Sequence, residues 1–133
     1  MHEIHVITYP SVWLPEPPCH RVLVLGGDAA HMSHVCDQIH TWGGDWSWAL
    51  YHVQSPNILD VSLTDWILTQ HAHVHAVWCH VHDPHVFTWA ALWAPHMHVI
   101  HCDPVYRKLL HWHNIPHEDL SEVIKNQAQR CTS

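Results

Sequence analysis

The alternation of short apolar runs with stretches of helical periodicity is the feature that most constrains the fold. Each run is rich in β-branched or aromatic side chains and leads into a turn signal, as expected of a buried strand. The runs are residues 21–25, 46–53, 73–81 and 97–101, and about ten residues with helical spacing follow each of them. Strands that alternate with helices favour right-handed βαβ crossovers, which build a parallel sheet. The sequence therefore predicts an α/β fold rather than a meander of hairpins or an all-helical body.

The predicted helices are identified by their apolar stripes and by residues that begin or end helices. The first ends before Gly43 and Gly44. The second begins with Ser62 and Asp65, which are spaced as in a capping box. Asp-Pro pairs at 83–84 and 103–104 open the next two, and the last spans about 117–127. The stripes comprise Met32, Val35, Cys36, Ile39 and Trp42; Leu63, Trp66 and Ile67; Val86, Trp89, Ala90 and Trp93; Tyr106, Leu109 and Leu110; and Leu120, Val123 and Ile124.

A further β-rich run at residues 4–9 precedes a proline-rich part at 10–18. Because proline is excluded from helix interiors and central strands, we expect an edge strand and an extended connection here. The chain has 133 residues, 47% of them apolar, which suits one core. The prediction is a single α/β domain over 1–133 with a loose tail at 130–133. It is a three-layer sandwich with a mostly parallel sheet of about five strands, flavodoxin-like or Rossmann-like in the broad sense.

The charge balance restricts the partners. Five Lys and Arg against twelve Asp and Glu give a formal charge of −7 with His neutral, which disfavours nucleic acid and anionic membranes near neutral pH. The chain also carries 19 His, so its net charge is expected to cross zero between about pH 6 and 7. The His residues either fill polar surface positions or form a pH-sensitive surface.

Location and redox state are predicted from what the sequence lacks. It has no apolar run of the ~18 residues that a membrane helix needs, and no signal-peptide pattern at its start. We therefore expect a cytoplasmic protein. The five Cys are odd in number and include no CxxC pair, which predicts reduced thiols rather than a disulfide framework.

Three acidic residues follow predicted strands at the edge where open parallel sheets bind ligands. Asp28, Asp83 and Asp103 meeting there would hold a divalent metal ion such as Mg²⁺, with His82 or His101 as general base toward a phosphorylated small molecule or nucleotide. Gly26 and Gly27, with Asp28, would form a cofactor-binding turn at a helix N-terminus. Each Asp fits equally well as a helix N-cap, which requires no ligand.

A dense group of His residues offers a different metal site. Alternate residues of a strand share a face, so imidazoles two apart align and suit Zn²⁺, Ni²⁺ or Cu²⁺, with a thiolate as a further ligand. The candidates are His71, His73, His75, Cys79, His80 and His82. Their spacing matches no zinc finger, and chance clustering among so many His is the alternative.

The nine Trp residues suggest an interaction surface. Trp42, Trp66, Trp89 and Trp93 fit buried helical stripes, whereas Trp13 and Trp112 fit no stripe. Trp is enriched at protein interfaces, and only 13% of the chain is charged, against about 25% in a typical soluble domain.

The leading hypothesis is a non-catalytic binding or assembly subunit that contacts a protein partner or a second copy through Trp13, Trp112 and nearby His residues. The alternatives are the metal-dependent enzyme and the His/Cys transition-metal domain described above. No catalytic motif decides among them.

Overall fold

A parallel sheet forms the centre of the computed structural model, which describes residues 3–11, 20–70, 74–80, 86, 89–90, 92, 97–100, 108 and 117–130. The described strands are β1 (Ile4–Thr8), β2 (His20–Leu25), β3 (Trp48–Val53), β4 (Ala76–Cys79), β5 (Met97–Ile100) and β6 (His117–Glu118). All neighbouring strands are parallel, and their order is β1-β3-β2-β4-β5-β6. The prediction of an α/β fold with a mostly parallel sheet is confirmed.

The order of the strands creates a topological switch point. Without β1, the remaining strands follow the order 2-1-3-4-5 that is known from flavodoxin-like sheets, and β1 is added at the edge beside β3. The chain moves from β2 to one side to form β3 and then returns across β2 to form β4 on the other side. Adjacent crossovers that diverge in this way leave a crevice between the carboxyl ends of β2 and β4.

The described helices are α1 (Ala29–Trp42), α2 (Val61–Gln70) and α3 (Leu120–Gln129). Side chains of a strand point alternately to the two faces, so β2 contributes Leu23 to one core cluster and Val24 to the other. The cluster around Leu23 includes residues of α2, and the cluster around Val24 includes residues of α1 and α3. Helices thus pack against both faces. None of the helices that the structure describes has the length and apolar character needed to cross a bilayer.

Several predicted boundaries are corrected by the structure. The strand expected at 73–81 covers only Ala76–Cys79, and the strand expected at 46–53 begins at Trp48. The last helix was expected from 117, but His117–Glu118 pairs with β5 as a strand and Asp119 caps the helix that follows. These two residues are extended because their backbone hydrogen-bonds the sheet edge, an interaction that local periodicity does not encode.

The start of α2 also differs from the prediction. The helix begins at Val61, and the Asp60 carboxylate accepts a hydrogen bond from Leu63 N at 3.1 Å. Asp60 therefore satisfies one of the unpaired N–H groups of the first turn, and Ser62 is an exposed residue inside the helix. The apolar stripe of Leu63, Trp66 and Ile67 is buried as predicted.

Trp42 is not buried with the α1 stripe: its side chain is 42% exposed. At 3.6 residues per turn it lies about 60° around the helix from Ile39, at the margin of the buried face. The Lys125 ammonium of α3 lies 3.9 Å from the centre of its ring, which is a cation–π contact. Trp66 is buried, and Trp89 packs against the core in part. Trp93, like Trp13 and Trp112, lies outside the described residues.

Candidate ligand-binding cleft

The turn after β2 forms one wall of the crevice at the switch point. Gly26 and Gly27 have φ values of 86° and 84°, in the left-handed region that glycine adopts without a steric penalty. Gly26 N donates a hydrogen bond to Val53 O at 2.7 Å, which ties the turn to the end of β3. A Cβ on Gly27 would lie 3.0 Å from the Cβ of His31, so both conformation and space favour glycine there.

The side chain of His52 in β3 hydrogen-bonds to this turn. Its Nε2 lies 3.1 Å from Gly26 O and 2.9 Å from Gly27 O. Since both carbonyl oxygens only accept hydrogen bonds, Nε2 must carry the hydrogen and donate to them. The side chain is only 6% exposed, so a buried imidazole fixes the shape of the turn. The sequence signal for this role is a His within a strand that is otherwise buried on both faces.

The crevice is a cavity of about 360 Å³. Its lining consists of Gly26, Gly27, Asp28, His31, Gln54, Ser55 and His80. The turn between β2 and α1 supplies the first three of these residues, and α1 supplies His31. Gln54 and Ser55 directly follow β3, and His80 directly follows β4. His80 is anchored by its backbone N, which donates to Leu25 O at 2.8 Å. The cavity therefore lies where the strand order predicts a ligand site.

Two imidazoles lie next to each other in the lining of this cavity. The ring centres of His31 and His80 are 5.4 Å apart, with 54° between the ring planes. An imidazole both donates and accepts hydrogen bonds when neutral, and Gln54 and Ser55 add an amide and a hydroxyl. The arrangement suits a small molecule with several hydrogen-bonding groups. Sequence reasoning missed His31, Gln54 and Ser55, because only the strand order brings them to His80.

Asp28 acts as the N-cap of α1. Its Oδ1 accepts a hydrogen bond from His31 N at 2.9 Å, and this bond is the main cause of its lowered pKa. The carboxylate therefore occupies the N-terminus of α1, where an approaching phosphate would meet a negative charge. The capping alternative explains Asp28. Asp83 and Asp103, with which it was expected to form a metal site, lie outside the described residues, as do His82 and His101.

The His-rich stretch is divided by β4. His75 precedes the strand and His80 follows it, so about 16 Å of extended chain separates them, too far for both to bind one ion. Cys79 lies between them, fully buried, and burial raises the pKa of its thiol to about 12. Within the described ranges, no three His, Cys, Asp or Glu side chains are placed to hold a metal. His71, His73 and His82 lie outside those ranges.

A second cavity of about 480 Å³ lies between α1 and the edge of the sheet. Val6 of β1 and Met32 and Cys36 of α1 give it an apolar floor, and Val6 is 45% exposed there. Gln54 lines both cavities. Cys36 is a free thiol whose pKa is raised by burial and by the nearby Asp37 carboxylate, which keeps it protonated.

Comparison of the chain with models of known protein families, with curated proteins and with solved structures gives no match.

Proposed function

We propose that this protein binds a small polar molecule in the cleft at the switch point, with the imidazoles of His31 and His80 as its main contacts. The observation that carries the proposal is the position of the cleft. It opens at the carboxyl ends of β2 and β4, where the strand order reverses, and this is the place where open α/β sheets bind ligands. This function is binding without catalysis, and it differs from the leading expectation from the sequence, which was contact with a protein partner or a second copy.

The chemistry of the lining favours a ligand that is uncharged or cationic where it meets α1. Asp28 places a carboxylate at the helix N-terminus and thereby offsets the positive end of the helix dipole. His31, His80 and Gln54 offer donors and acceptors to hydroxyl, amino or ring-nitrogen groups. Nucleosides and sugars have this character. The sequence led us to expect phosphorylated ligands. Each unphosphorylated compound can therefore be compared with its own phosphate ester.

Thermal unfolding with a ligand panel tests the proposal. A ligand that binds the folded state raises the melting temperature, by an amount that grows with the logarithm of the ratio of its concentration to its dissociation constant. The panel contains nucleosides, monosaccharides and their phosphate esters. We expect stabilisation by at least one unphosphorylated compound, and less by its phosphate ester. A panel without any stabilising compound contradicts the proposal.

Matched variants locate the binding site. His31→Ala and His80→Ala each remove one imidazole from the cleft and should abolish most of the ligand-induced stabilisation. His34→Ala is the control, because His34 is exposed on the same helix and does not line the cleft. Equal ligand responses in His31→Ala and His34→Ala would place the ligand elsewhere.

We also propose a second function, contact with a protein partner, for which the exposed apolar side chains of the α2 region provide the support. Leu59, Val61 and Leu68 are 83%, 74% and 46% exposed. Val61, Asp65 and Leu68 recur at helical spacing on one exposed face, with the carboxylate between the two apolar residues. An apolar surface with an acidic centre, in a chain of charge −7, fits a partner with an apolar helix flanked by basic residues.

A pair of synthetic helical peptides tests the second function. Both carry the same apolar stripe, one flanked by Lys and the other by Glu. We expect the Lys peptide to shift the NMR signals of residues 58–68, and the Glu peptide and a Leu59→Ser/Leu68→Ser variant to give no such shifts. Binding of both peptides alike, or of neither, would contradict this function. Trp13 and Trp112, the contact residues expected from the sequence, lie outside the described residues.

A further inference from the structure

Arg21 lies at the amino end of β2, and part of its guanidinium is not used by any residue that the structure describes. Its Nε is buried and has no hydrogen-bond partner among the residues that the structure describes. Its guanidinium also forms no ion pair within that part of the chain. Burying a charged donor without a partner is costly, and native proteins usually supply an acceptor for it. Arg21 therefore has donor capacity that none of the described residues uses.

His75 lies directly beside Arg21. Arg21 N donates to His75 Nδ1 at 3.0 Å, and His75 N donates to Arg21 O at 2.7 Å. Because Nδ1 accepts a hydrogen bond, it carries no hydrogen, and the neutral ring has its N–H at Nε2. The two residues together thus offer the guanidinium donors and one imidazole donor at the same strand ends.

Two more basic side chains, His20 and Arg130, act electrostatically at this place. The pKa of His75 is lowered by burial and then by Arg21 and Arg130, and that of His20 is lowered by burial and then by His75 and Arg130. Arg130 caps the carboxyl end of α3. Arg21, His75 and Arg130 are called the amino-edge cluster below, whereas the buried His20 points to the opposite face of β2 from Arg21. In a chain with only five Lys and Arg, two of them contribute to it.

Glu3, the acidic side chain nearest to Arg21 in the strand register, pairs with a different residue. His5 pairs with Ala49, which in turn pairs with Arg21, so His5 lies two strand spacings, about 10 Å, from Arg21. The Glu3 carboxylate lies 3.1 Å from His5 Nε2. Glu3 is thus placed to pair with His5 and not with Arg21.

We propose that the amino-edge cluster binds an oxyanion, a phosphate or carboxylate group of a small molecule, with Arg21 as its main ligand. Guanidinium groups bind both oxyanions through paired N–H donors, and the neutral His75 ring adds a further donor. The site is separate from the cleft, because Gly26 follows Arg21 by five residue steps along β2, a distance of about 16 Å. The molecule thus has an anion site and a polar cleft at opposite ends of one strand.

The experiment measures binding of inorganic phosphate, and of acetate as the carboxylate probe, by calorimetry and thermal unfolding at constant ionic strength with chloride as the reference. We expect phosphate or acetate to raise the melting temperature above that in chloride, and the stronger of the two identifies the ligand chemistry. The dissociation constant should rise at least about tenfold in Arg21→Gln, since a charge-assisted paired contact is lost. Arg21→Lys keeps the charge without the paired donors and should weaken binding less.

Lys125→Gln is the control, because it removes the same charge at a residue that contacts Glu122 and Trp42. It should leave anion binding unchanged. Without added anion, Arg21→Gln should be at least as stable as the wild type, because a buried Nε–H group with no acceptor among the described residues has been removed. Equal effects of chloride and both oxyanions, unchanged binding in Arg21→Gln, or destabilisation of that variant in anion-free buffer would each overturn the proposal.

Discussion

His20 makes the stability of the protein depend on pH. The imidazole is 2% exposed and stacks on Trp48 with ring centres 4.2 Å apart. Burial, followed by His75 and Arg130, lowers its pKa from 6.5 to about 4. Between these values the unfolded chain binds a proton that the folded chain does not. The contribution of the neutral His20 ring to the free energy of unfolding is therefore complete above pH 6.5 and is lost as the pH falls toward 4.

The first prediction is that His20 accounts for a fall of up to about 3 kcal/mol in the free energy of unfolding across this range. His20→Phe keeps a ring against Trp48 and removes the proton-binding group, so its stability should fall less steeply with acidification. Urea denaturation at a series of pH values measures this. His34→Gln, at an exposed position, serves as the control. The same pH dependence in His20→Phe and in the wild type would contradict the assignment.

The second residue-scale prediction concerns Cys79. Its thiol is fully buried, and burial raises its pKa to about 12, so almost no thiolate is present at pH 8. We expect a maleimide to leave Cys79 unmodified in the folded protein and to modify it in urea, as followed by mass spectrometry of the peptides. Cys36 is half-buried and should react at an intermediate rate. Labelling of Cys79 at similar rates in the folded and unfolded protein would disprove its burial.

At the scale of elements, the Asp60 cap gives the third prediction. Asp60→Ala removes the hydrogen bond to Leu63 N and should lower the free energy of unfolding by about 1 kcal/mol. Asp65→Ala is the matched control, because it removes the same charge from an exposed position inside the same helix. Chemical denaturation measures both. A loss of similar size in both variants would mean that charge, and not capping, determines the effect.

The elements themselves were largely predictable from the sequence. A stripe such as Val35 and Ile39 indicates a buried helix face, and Gly43 indicates where the helix ends. Both signals can be read from neighbouring residues alone. The ends of the strands were harder to predict from the sequence. The alternating His residues continue the pattern of β4 beyond its paired residues, and β6 exists only because β5 lies beside it. Pairing between distant segments decides such boundaries.

At the scale of the whole molecule, the fourth prediction concerns charge. With 19 His and a sequence pI of about 6.2, the net charge passes through zero just below neutral pH. Solubility should therefore be lowest near that value and should rise on either side. Measuring the saturation concentration between pH 5 and 8 tests this. A minimum outside the interval from about pH 6 to 7 would indicate that the His residues titrate far from their usual range.

The cleft was predictable only in part. Gly26, Gly27 and Asp28 follow a strand directly, so the sequence indicated them as a turn at the ligand-binding edge. His31 lies one helical turn further on, and Gln54 and His80 end other strands. They meet because β3 and β4 flank β2, and no local pattern specifies that order. Fold class is thus encoded locally, whereas the composition of the site depends on topology.

NMR titration of the isotope-labelled protein with the stabilising compound from the panel is the most direct test of the account. Binding in the cleft predicts that the amide signals of Gly26, Gly27, Ser55 and His80 shift together along one binding curve, while the signal of His34 stays in place. Saturable binding that leaves these four signals unchanged and shifts a set elsewhere in the protein would contradict the account.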